Sequence, residues 1–538
     1  MKSIKLNYAF GLSVLSAILL LRYETAVERL SVQREAFCMY AIFTFLILYY
    51  ISKNKRFFLR WDPLGAVMAL TVSLSIIATP YLRGQRLVPD LPQLLLQCFF
   101  LLAFFYFLFL CLWDIATNKM RDGKCELSLF QVLFMAMVFI VILAIQYKPL
   151  YPSGSSPDAL NQWQQIHGEL NYNKIHAIGH TIFLKGLLNI YDGYLIVILF
   201  HLVGVLCVYL CFASRFRKKG FSIFALTMVF GLALISSSAS STAYYYPWKD
   251  TPYALCVCVV TLCLMDIQEH RLTLPQAFLL GLALAWCQLF RLNGIIILLV
   301  CGCYFAIAFI KSKHYKHLAL MMAAILLSVS FVNVYSAKVL KPTEYKNGFS
   351  IQPFVYGIAA MVDSGQLTQA EMDEIDALVS VEWMQENYAT YAGRTDLIWK
   401  SDQDERILND INLEFFNNGF VLDAGEHRAE LIALYFRLMP KHLLICIKDI
   451  LASLFVMWRC EEYFLKSYLF AFLLTVFMAI KAKLRFKDSI VFLPSICNTV
   501  SIMISTTTNE ARYFLPMFML APVFFLYISQ KKHEYQKI

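Results

Sequence analysis

Ser128-Leu-Phe-Gln-Val-Leu-Phe-Met-Ala-Met-Val-Phe-Ile-Val-Ile-Leu-Ala-Ile-Gln146 carries no acidic or basic side chain and is apolar at nearly every position. A helix of about 20 such residues crosses a bilayer, because each residue adds ~1.5 Å and the hydrocarbon core is ~30 Å thick. Directly beyond it the composition reverses. Ser153-Gly-Ser-Ser-Pro-Asp158-Ala-Leu-Asn-Gln-Trp163 is polar and turn-rich, and His176-Ala-Ile-Gly-His180-Thr181 follows. A carboxylate, two histidines and an aromatic ring are thereby placed at a membrane surface, where spanning the bilayer does not require them.

The apolar pattern recurs along the whole chain. Runs near 6–21, 36–52, 64–80, 93–113, 193–212, 221–237, 251–266, 275–290, 294–310, 318–336, 466–480, 489–504 and 514–529 join the one at 128–146. They predict an all-α polytopic membrane protein with about 14 transmembrane helices. Composition agrees: 59% of the 538 residues are hydrophobic, 16% are charged, and the mean hydropathy is +0.59. A soluble fold of this length has too little interior to cover so much apolar surface. Lys2 and Lys5 precede the first run without a small-residue cleavage site after it, so that run reads as a retained helix. The 15 cysteines are scattered without a Cys-x-x-Cys pair and read as buried thiols.

A net charge of +10 would point to nucleic acid in a soluble protein, but here the basic residues sit in small clusters between apolar runs. Those clusters are Lys53/Lys55/Arg56/Arg60, Lys119/Arg121/Lys124, Arg215/Arg217/Lys218/Lys219, Lys311/Lys313/Lys316, Lys481/Lys483/Arg485/Lys487 and Lys531/Lys532. Cytoplasmic loops are enriched in Lys and Arg. With a cytoplasmic N-terminus and fourteen crossings, every cluster lies inside and so does the C-terminus. The expected setting is therefore a cell membrane, with lipids and no nucleic acid as surroundings.

Residues 441–458 test this count. Lys448 and Asp449 interrupt the segment midway, and a charged pair at bilayer depth is costly. We read it as an amphipathic helix on the outer interface, anchored by Trp458. Four regions result: N-terminal transmembrane helices over 1–127, a membrane core with an external loop over 128–337, an external acidic insertion and interfacial helix over 338–465, and C-terminal transmembrane helices over 466–538. Residues 338–440 hold 17 acidic and 8 basic side chains, net −9, whereas the remainder holds 20 acidic and 39 basic, net +19. Thr368-Gln-Ala-Glu371 is a capping box, and 381–387 and 407–416 read as further helical pieces with Asn417-Asn-Gly419 as a stop. The insertion is a mainly helical unit, serving either as a cap or as an acceptor-binding surface.

Several charged residues fall on the external side of this topology. Ser156 and Pro157 start a helix as N-cap and first residue, so Asp158 sits in the first turn, where the helix dipole favours the ionised form. Such a carboxylate either caps its helix or takes a proton from an incoming hydroxyl. His176 and His180 are four apart and share a helix face, as a structural pair or as hydrogen-bond donors to an anion. Tyr244-Tyr-Tyr-Pro-Trp248-Lys249-Asp250-Thr-Pro252 is an aromatic belt in one reading. An external lysine there still calls for a partner, either Asp250 or an anion. Arg291-Leu-Asn293-Gly294 and Glu510-Ala-Arg512-Tyr513 each place an arginine between apolar runs, where its planar fork suits phosphate and snorkelling is the competing explanation. Asp158 and Asp250 together would also suit a divalent metal ion. No other cofactor is indicated.

In order and sidedness, these segments resemble the GT-C superfamily of polytopic membrane glycosyltransferases, in particular bacterial members that use polyprenyl-phosphate-linked sugars. The resemblance rests on Ser156-Pro-Asp158 with Trp163, His176-x-x-x-His180-Thr181, Trp248-Lys249-Asp250-Thr-Pro252, Arg291-Leu-Asn293-Gly294 and Arg512-Tyr513. It covers residues 128–336 and 489–529. Ala177 and Leu292 stand where such families usually carry proline. The resemblance implies inverting transfer from a polyprenyl-phosphate-linked sugar donor to a glycan, lipid or protein acceptor on the non-cytoplasmic face. Asp158 would be the general base. His176, His180, Trp248, Lys249, Asp250, Arg291, Asn293, Arg512 and Tyr513 would bind substrate and lipid phosphate. The rival readings are a transporter or flippase, and a polysaccharide polymerase or ligase of lipid-linked glycans.

The topology makes a direct prediction. Cysteines introduced singly at Lys481 to Lys487 should resist a membrane-impermeant maleimide added to intact cells and react after permeabilisation. Labelling from outside would make 441–458 a further crossing and invert the C-terminal region.

Overall fold

The computed structural model describes residues 40–49, 61–82, 91–118, 120–123, 125–154, 156–174, 176–236, 243–343, 351–388, 419–459, 468–505 and 511–536. The expected span at 6–21, the Lys53 to Arg60 cluster, the helical piece at 407–416 and Glu510 lie outside the described residues. So does the side chain of Trp458. Gly419, expected within a helix stop, opens a helix of its own.

The described chain is helical, with only isolated bridges between Arg121 and Phe221 and between Asn173 and Thr343. In order, the helices are α1 Tyr40–Tyr49, α2 Pro63–Leu82, α3 Leu91–Asn118, α4 Leu129–Tyr147, α5 Pro157–His167, α6 Ile178–Leu188, α7 Tyr194–Lys218 and α8 Ile223–Ser236. Then come α9 Asp250–Gln268, α10 Leu274–Phe290, α11 Ile295–Lys311, α12 Tyr315–Tyr335, α13 Gln352–Asp363, α14 Gln369–Asp376 and α15 Val381–Asn387. The last group is α16 Gly419–Glu426, α17 Arg428–Leu438, α18 Leu443–Arg459, α19 Tyr468–Lys481, α20 Leu493–Ser505 and α21 Leu515–Tyr535.

Among the described residues, 7 helical segments are long and apolar enough to cross a membrane: Cys98–Thr117, Leu129–Leu150, Tyr194–Lys218, Asp250–Gln268, Leu292–Lys311, Tyr315–Leu340 and Arg512–Tyr535. Shorter apolar helices coincide with the runs expected at 36–52, 64–80, 221–237, 275–290 and 466–480. The chain is thus an all-helical membrane protein with several spans. Its apolar segments are not equivalent. Those built on α9 and α21 are 78% buried and form the centre, whereas those built on α4 and α12 are 17% and 22% buried and turn most of their leucine, isoleucine and phenylalanine side chains outward. An exposed apolar surface on that scale is stable against lipid and not against water.

Close helix contact requires small residues. A Cβ on Gly281 of α10 would lie 2.3 Å from the Met321 carbonyl oxygen of α12, so glycine is what lets these two backbones approach.

The basic clusters gather at one end of the bundle. Arg217 pairs with Asp122, and the Asp122 N–H donates to the Gly220 carbonyl at 3.2 Å. Lys219 and Arg215 converge on Glu269 at 2.7 and 3.0 Å, and Arg215 also pairs with Asp266. Gln268 donates to the Lys487 carbonyl at 2.8 Å, Lys531 lies 3.1 Å from Asp488, and Lys481 pairs with Asp62. His317 meets the Leu272 carbonyl at 3.1 Å, bringing the start of α12 to the same end. Arg215, Arg217, Lys219, Lys481 and Lys531 thus each have a carboxylate neighbour at a helix end.

The insertion has a core of its own. Val355, Tyr356 and Met361 of α13, Ile375 of α14, Met384 of α15, Phe420 of α16 and Leu431 of α17 pack together, and Cys446 of α18 closes the cluster. Thr368 forms the expected capping box with Glu371. On α18, Asp449 is buried and accepts from the Tyr388 hydroxyl, while Leu443, Leu444, Ile447 and Leu451 are exposed. The residue that argued against crossing therefore faces the insertion.

Gly281→Leu should destabilise the fold by about 1–3 kcal/mol or more through overpacking against backbone. The check is the midpoint of heat-induced aggregation in detergent. An unchanged midpoint would show that α10 and α12 are not in close contact.

Candidate functional site

At the opposite end of the bundle, the loop after α4 is clamped in place. The Gly154 N–H donates to the Tyr245 carbonyl at 2.8 Å, and a Cβ on Gly154 would lie 2.3 Å from the Tyr246 ring. Trp248 Nε1 donates to Ser156 Oγ at 2.6 Å, and that oxygen also accepts from the Ala159 N–H at 3.2 Å. Ser156 is the N-cap and Pro157 the first residue of α5, as the sequence indicates. The cap, the tryptophan and the close glycine contact fix where α5 starts, and so where Asp158 stands.

Asp158 meets charges from three other segments. Its Oδ2 lies 3.4 Å from Arg512 Nη1, and Arg512 Nε lies 3.9 Å from Asp250 Oδ2. The other Asp250 oxygen pairs with Arg291. The result is an alternating row: Asp158, Arg512, Asp250, Arg291. Aromatic faces hold the guanidinium groups. Arg512 lies over Trp248 at 4.4 Å and over Tyr513 at 5.5 Å, while Arg291 lies over Tyr513 at 4.5 Å and over Tyr253 at 5.6 Å. The Tyr253 hydroxyl donates to Asn498 of α20 at 2.7 Å, which ties the row to the bundle.

Lys249 stands apart. The sequence leaves it to Asp250 or to an anion, but Asp250 is engaged by Arg291, and the Lys249 ammonium donates instead to His176 Nδ1 at 3.4 Å. Among the described residues no carboxylate lies within ion-pair distance of Lys249. Two carboxylates offset two guanidinium groups, so the lysine is the surplus cation of the site.

Electrostatics follow from this geometry. Burial pushes the Asp158 pKa up, but His176, Lys249 and Arg512 together outweigh it and hold the carboxyl well below the usual range. Burial lowers the Lys249 pKa, with Asp158 and Asp250 opposing. His176 is pushed down to about 4, first by burial and then by Lys249 and Arg512, against the pull of Asp158. At neutral pH its ring is uncharged. Because Nδ1 accepts from Lys249, the ring proton belongs on Nε2.

The histidine reading needs correction. α6 begins at Ile178, so His176 lies in the preceding loop and does not share a helix face with His180. The loop stays unwound where His176 meets Lys249. His180 is fully buried and turns to α5, with its Nδ1 donating to Gln162 Oε1 at 2.9 Å. Gln162 Nε2 donates to Thr181 at 2.9 Å, and Gln165 Nε2 donates to Asn161 at 2.6 Å and to Asn173 at 3.3 Å. α5 therefore points Asn161, Gln162 and Gln165 inward and leaves Leu160 52% exposed. Asn293 also departs from expectation. Its amide donates to Ser501 of α20 at 3.2 Å, which makes it a brace for the Arg291 turn. Trp163 stacks on His167 at 4.1 Å and packs against Tyr194 at 4.6 Å, on the outward side of α5.

Gln162, Tyr253 and Asn498 are the site neighbours that sequence reasoning missed. The spacing of Asp158, Asn161, Gln162 and Gln165 at i, i+3, i+4 and i+7 is the signal for the first of them: a polar stripe on a membrane-surface helix. Asp158 and Asp250, the possible metal pair, both face arginine. Among the described residues no group of three His, Cys, Asp or Glu side chains has metal-ligand geometry.

His176 yields a pH prediction. Its folded pKa of about 4 lies below the ordinary 6.5, so the unfolded chain takes up the proton first and stability present above pH 6.5 is lost as pH falls toward 4. The loss approaches about 3 kcal/mol. His176→Gln should flatten the fall in heat-aggregation midpoint between pH 7 and pH 4, and an unchanged slope would contradict the burial of a neutral ring. Comparison of the chain with known protein families, characterised proteins and solved structures gives no match.

Proposed function

We propose that the chain is a polytopic membrane glycosyltransferase of the GT-C kind. It moves a sugar from a polyprenyl-phosphate donor to a glycan, lipid or protein acceptor on the non-cytoplasmic face, with inversion. One observation carries the reading: Asp158, the adjacent Lys249 and Asp250, Arg291 and Arg512, from four separate segments of the chain, converge at one end of the bundle, away from the end where the basic clusters collect.

In this reading the acceptor oxygen attacks the anomeric carbon as the bond from that carbon to the phosphate oxygen breaks. Asp158 takes the hydroxyl proton. The electron pair leaves on phosphate, where Lys249, Arg291 and Arg512 stabilise the developing charge and His176 Nε2–H is a further donor. His180, bonded to Gln162, supports α5. Trp248 and Tyr513 orient the arginines.

Fourteen crossings with both termini cytoplasmic accord with this assignment, because the basic end then faces the cytoplasm and the site faces outward. The insertion lies on the site side in this topology, with the exposed Leu443, Leu444, Ile447 and Leu451 face of α18 resting on the outer leaflet. A transporter or flippase would place its charges near the midplane on broken helices. Here they gather at helix ends, which favours surface chemistry.

Asp158→Asn should lower transfer of radiolabelled sugar from polyprenyl-phosphate donors by about 10²–10⁴-fold, with unchanged amounts of protein in the membrane. Transfer at the unmodified rate by this variant would reject Asp158 as the base.

A further inference from the structure

A second group of cations lies at the same end of the bundle as Asp158, outside the row of Asp158, Arg512, Asp250 and Arg291. Ile182 of α6, Leu289 of α10 and Leu340 just beyond α12 pack in one apolar cluster, and Leu289 stands two residues before Arg291. Three lysines surround that cluster. Lys185 lies one helical turn beyond Ile182 and donates to the Tyr172 hydroxyl at 3.0 Å, with its ammonium 5.2 Å from the centre of the ring. Tyr172 is joined in turn to the end of α12, because its carbonyl accepts from the Thr343 N–H at 2.8 Å. Lys338 and Lys341, which flank Leu340, are exposed.

Charge is handled differently here and at the opposite end. There, Arg215, Arg217, Lys219, Lys481 and Lys531 each meet a carboxylate. Among the described residues, no carboxylate lies within ion-pair distance of Lys185, Lys338 or Lys341. Ammonium groups gathered around one apolar cluster repel one another, and an anion from outside the chain relieves that repulsion.

Depth in the bilayer identifies the anion. The apolar segment Tyr315–Leu340 is 22% buried, so most of its surface meets lipid. Its midpoint falls between Leu327 and Ser328. At ~1.5 Å per residue, Lys338 stands about 16 Å from that point, whereas half the hydrocarbon core is ~15 Å thick. The lysine is thus at the level of lipid phosphates. Leu327, Phe331, Val334 and Lys338 are all exposed and follow one another at spacings of four, three and four, so they form one outward stripe. A lipid chain lying along the first three brings its phosphate to the fourth.

We infer that Lys185, Lys338 and Lys341 form a binding surface for an anionic phospholipid of the leaflet on that side. The ammonium groups take the phosphate, Tyr172 holds Lys185 in place, and the outward stripe of α12 takes an acyl chain. The surface does not depend on sugar transfer, so failure of either reading leaves the other standing.

The test titrates the full-length protein in detergent with phosphatidylglycerol or with phosphatidylcholine, and native mass spectrometry counts the bound lipids. Phosphatidylglycerol should bind more tightly, because choline offsets the phosphate of the other lipid. Its affinity should fall about 5-fold in Lys338→Gln or Lys341→Gln and about 25-fold in the double variant, as each lysine near a phosphate is lost. Lys338→Arg should keep the affinity. Lys316→Gln, at the far end of α12, should also keep it. The heat-aggregation midpoint without lipid checks that each variant is folded.

Equal affinity for the two phospholipids overturns the proposal, and so does undiminished phosphatidylglycerol binding by the folded double variant. An equal loss in Lys316→Gln overturns it as well, because the effect would then be net charge and not place. Displacement of the lipid by an equimolar amount of inorganic phosphate would also overturn it, since the stripe of α12 would contribute nothing.

Discussion

A charge withdrawn from water must find a partner nearby, and the two ends of this bundle meet that constraint in different ways. At one end, lysines and arginines from several loops pair with Asp62, Asp122, Asp266, Glu269 and Asp488. Those contacts lock helix termini together. At the other end the pairing is incomplete. The row of Asp158, Arg512, Asp250 and Arg291 balances itself, while Lys249 is left with an uncharged imidazole. The contacts at the first end hold helix termini together, whereas the second end keeps one lysine beside an imidazole and not a carboxylate.

The clamp around Asp158 shows how packing serves that imbalance. Trp248 supports Arg512 through its face and Ser156 through its N–H, so one indole positions both members of the Asp158 and Arg512 pair. Tyr513 similarly lies between two guanidinium groups. Aromatic rings suit this work because they attract cations without neutralising them.

Much of this was legible in the sequence, for identifiable reasons. Spanning segments announce themselves through length and composition, so α3, α4, α7, α9, α11, α12 and α21 were found where the apolar runs lie. The helix start at Ser156-Pro157 and the capping box at Thr368 are local chemistry within a few residues and were read correctly. Asp158, Lys249, Asp250, Arg291 and Arg512 stood out because charge is scarce in such a chain. Pairing was another matter. Nothing local to Asp250 indicates that Arg291 and not Lys249 is its partner, and nothing near His176 indicates that it stays outside the helix and meets Lys249. Those choices depend on how distant helices meet. The same holds for Asn293, which turned to Ser501, and for Gln162, which is silent until His180 comes into contact.

The inward polar stripe of α5 has one more consequence. Most amphipathic helices dock through oily contacts that tolerate exchange of one aliphatic group for another. α5 docks through paired amides, hydroxyls and an imidazole, with Gln162 set against His180 and Thr181 and Gln165 against Asn173. Donor and acceptor must match atom for atom, so neither strand of this zipper can drift independently. In a chimera with a related chain, residues 157–181 would travel as one cassette, and splitting the cassette between parents would leave mismatched groups buried directly beneath Asp158.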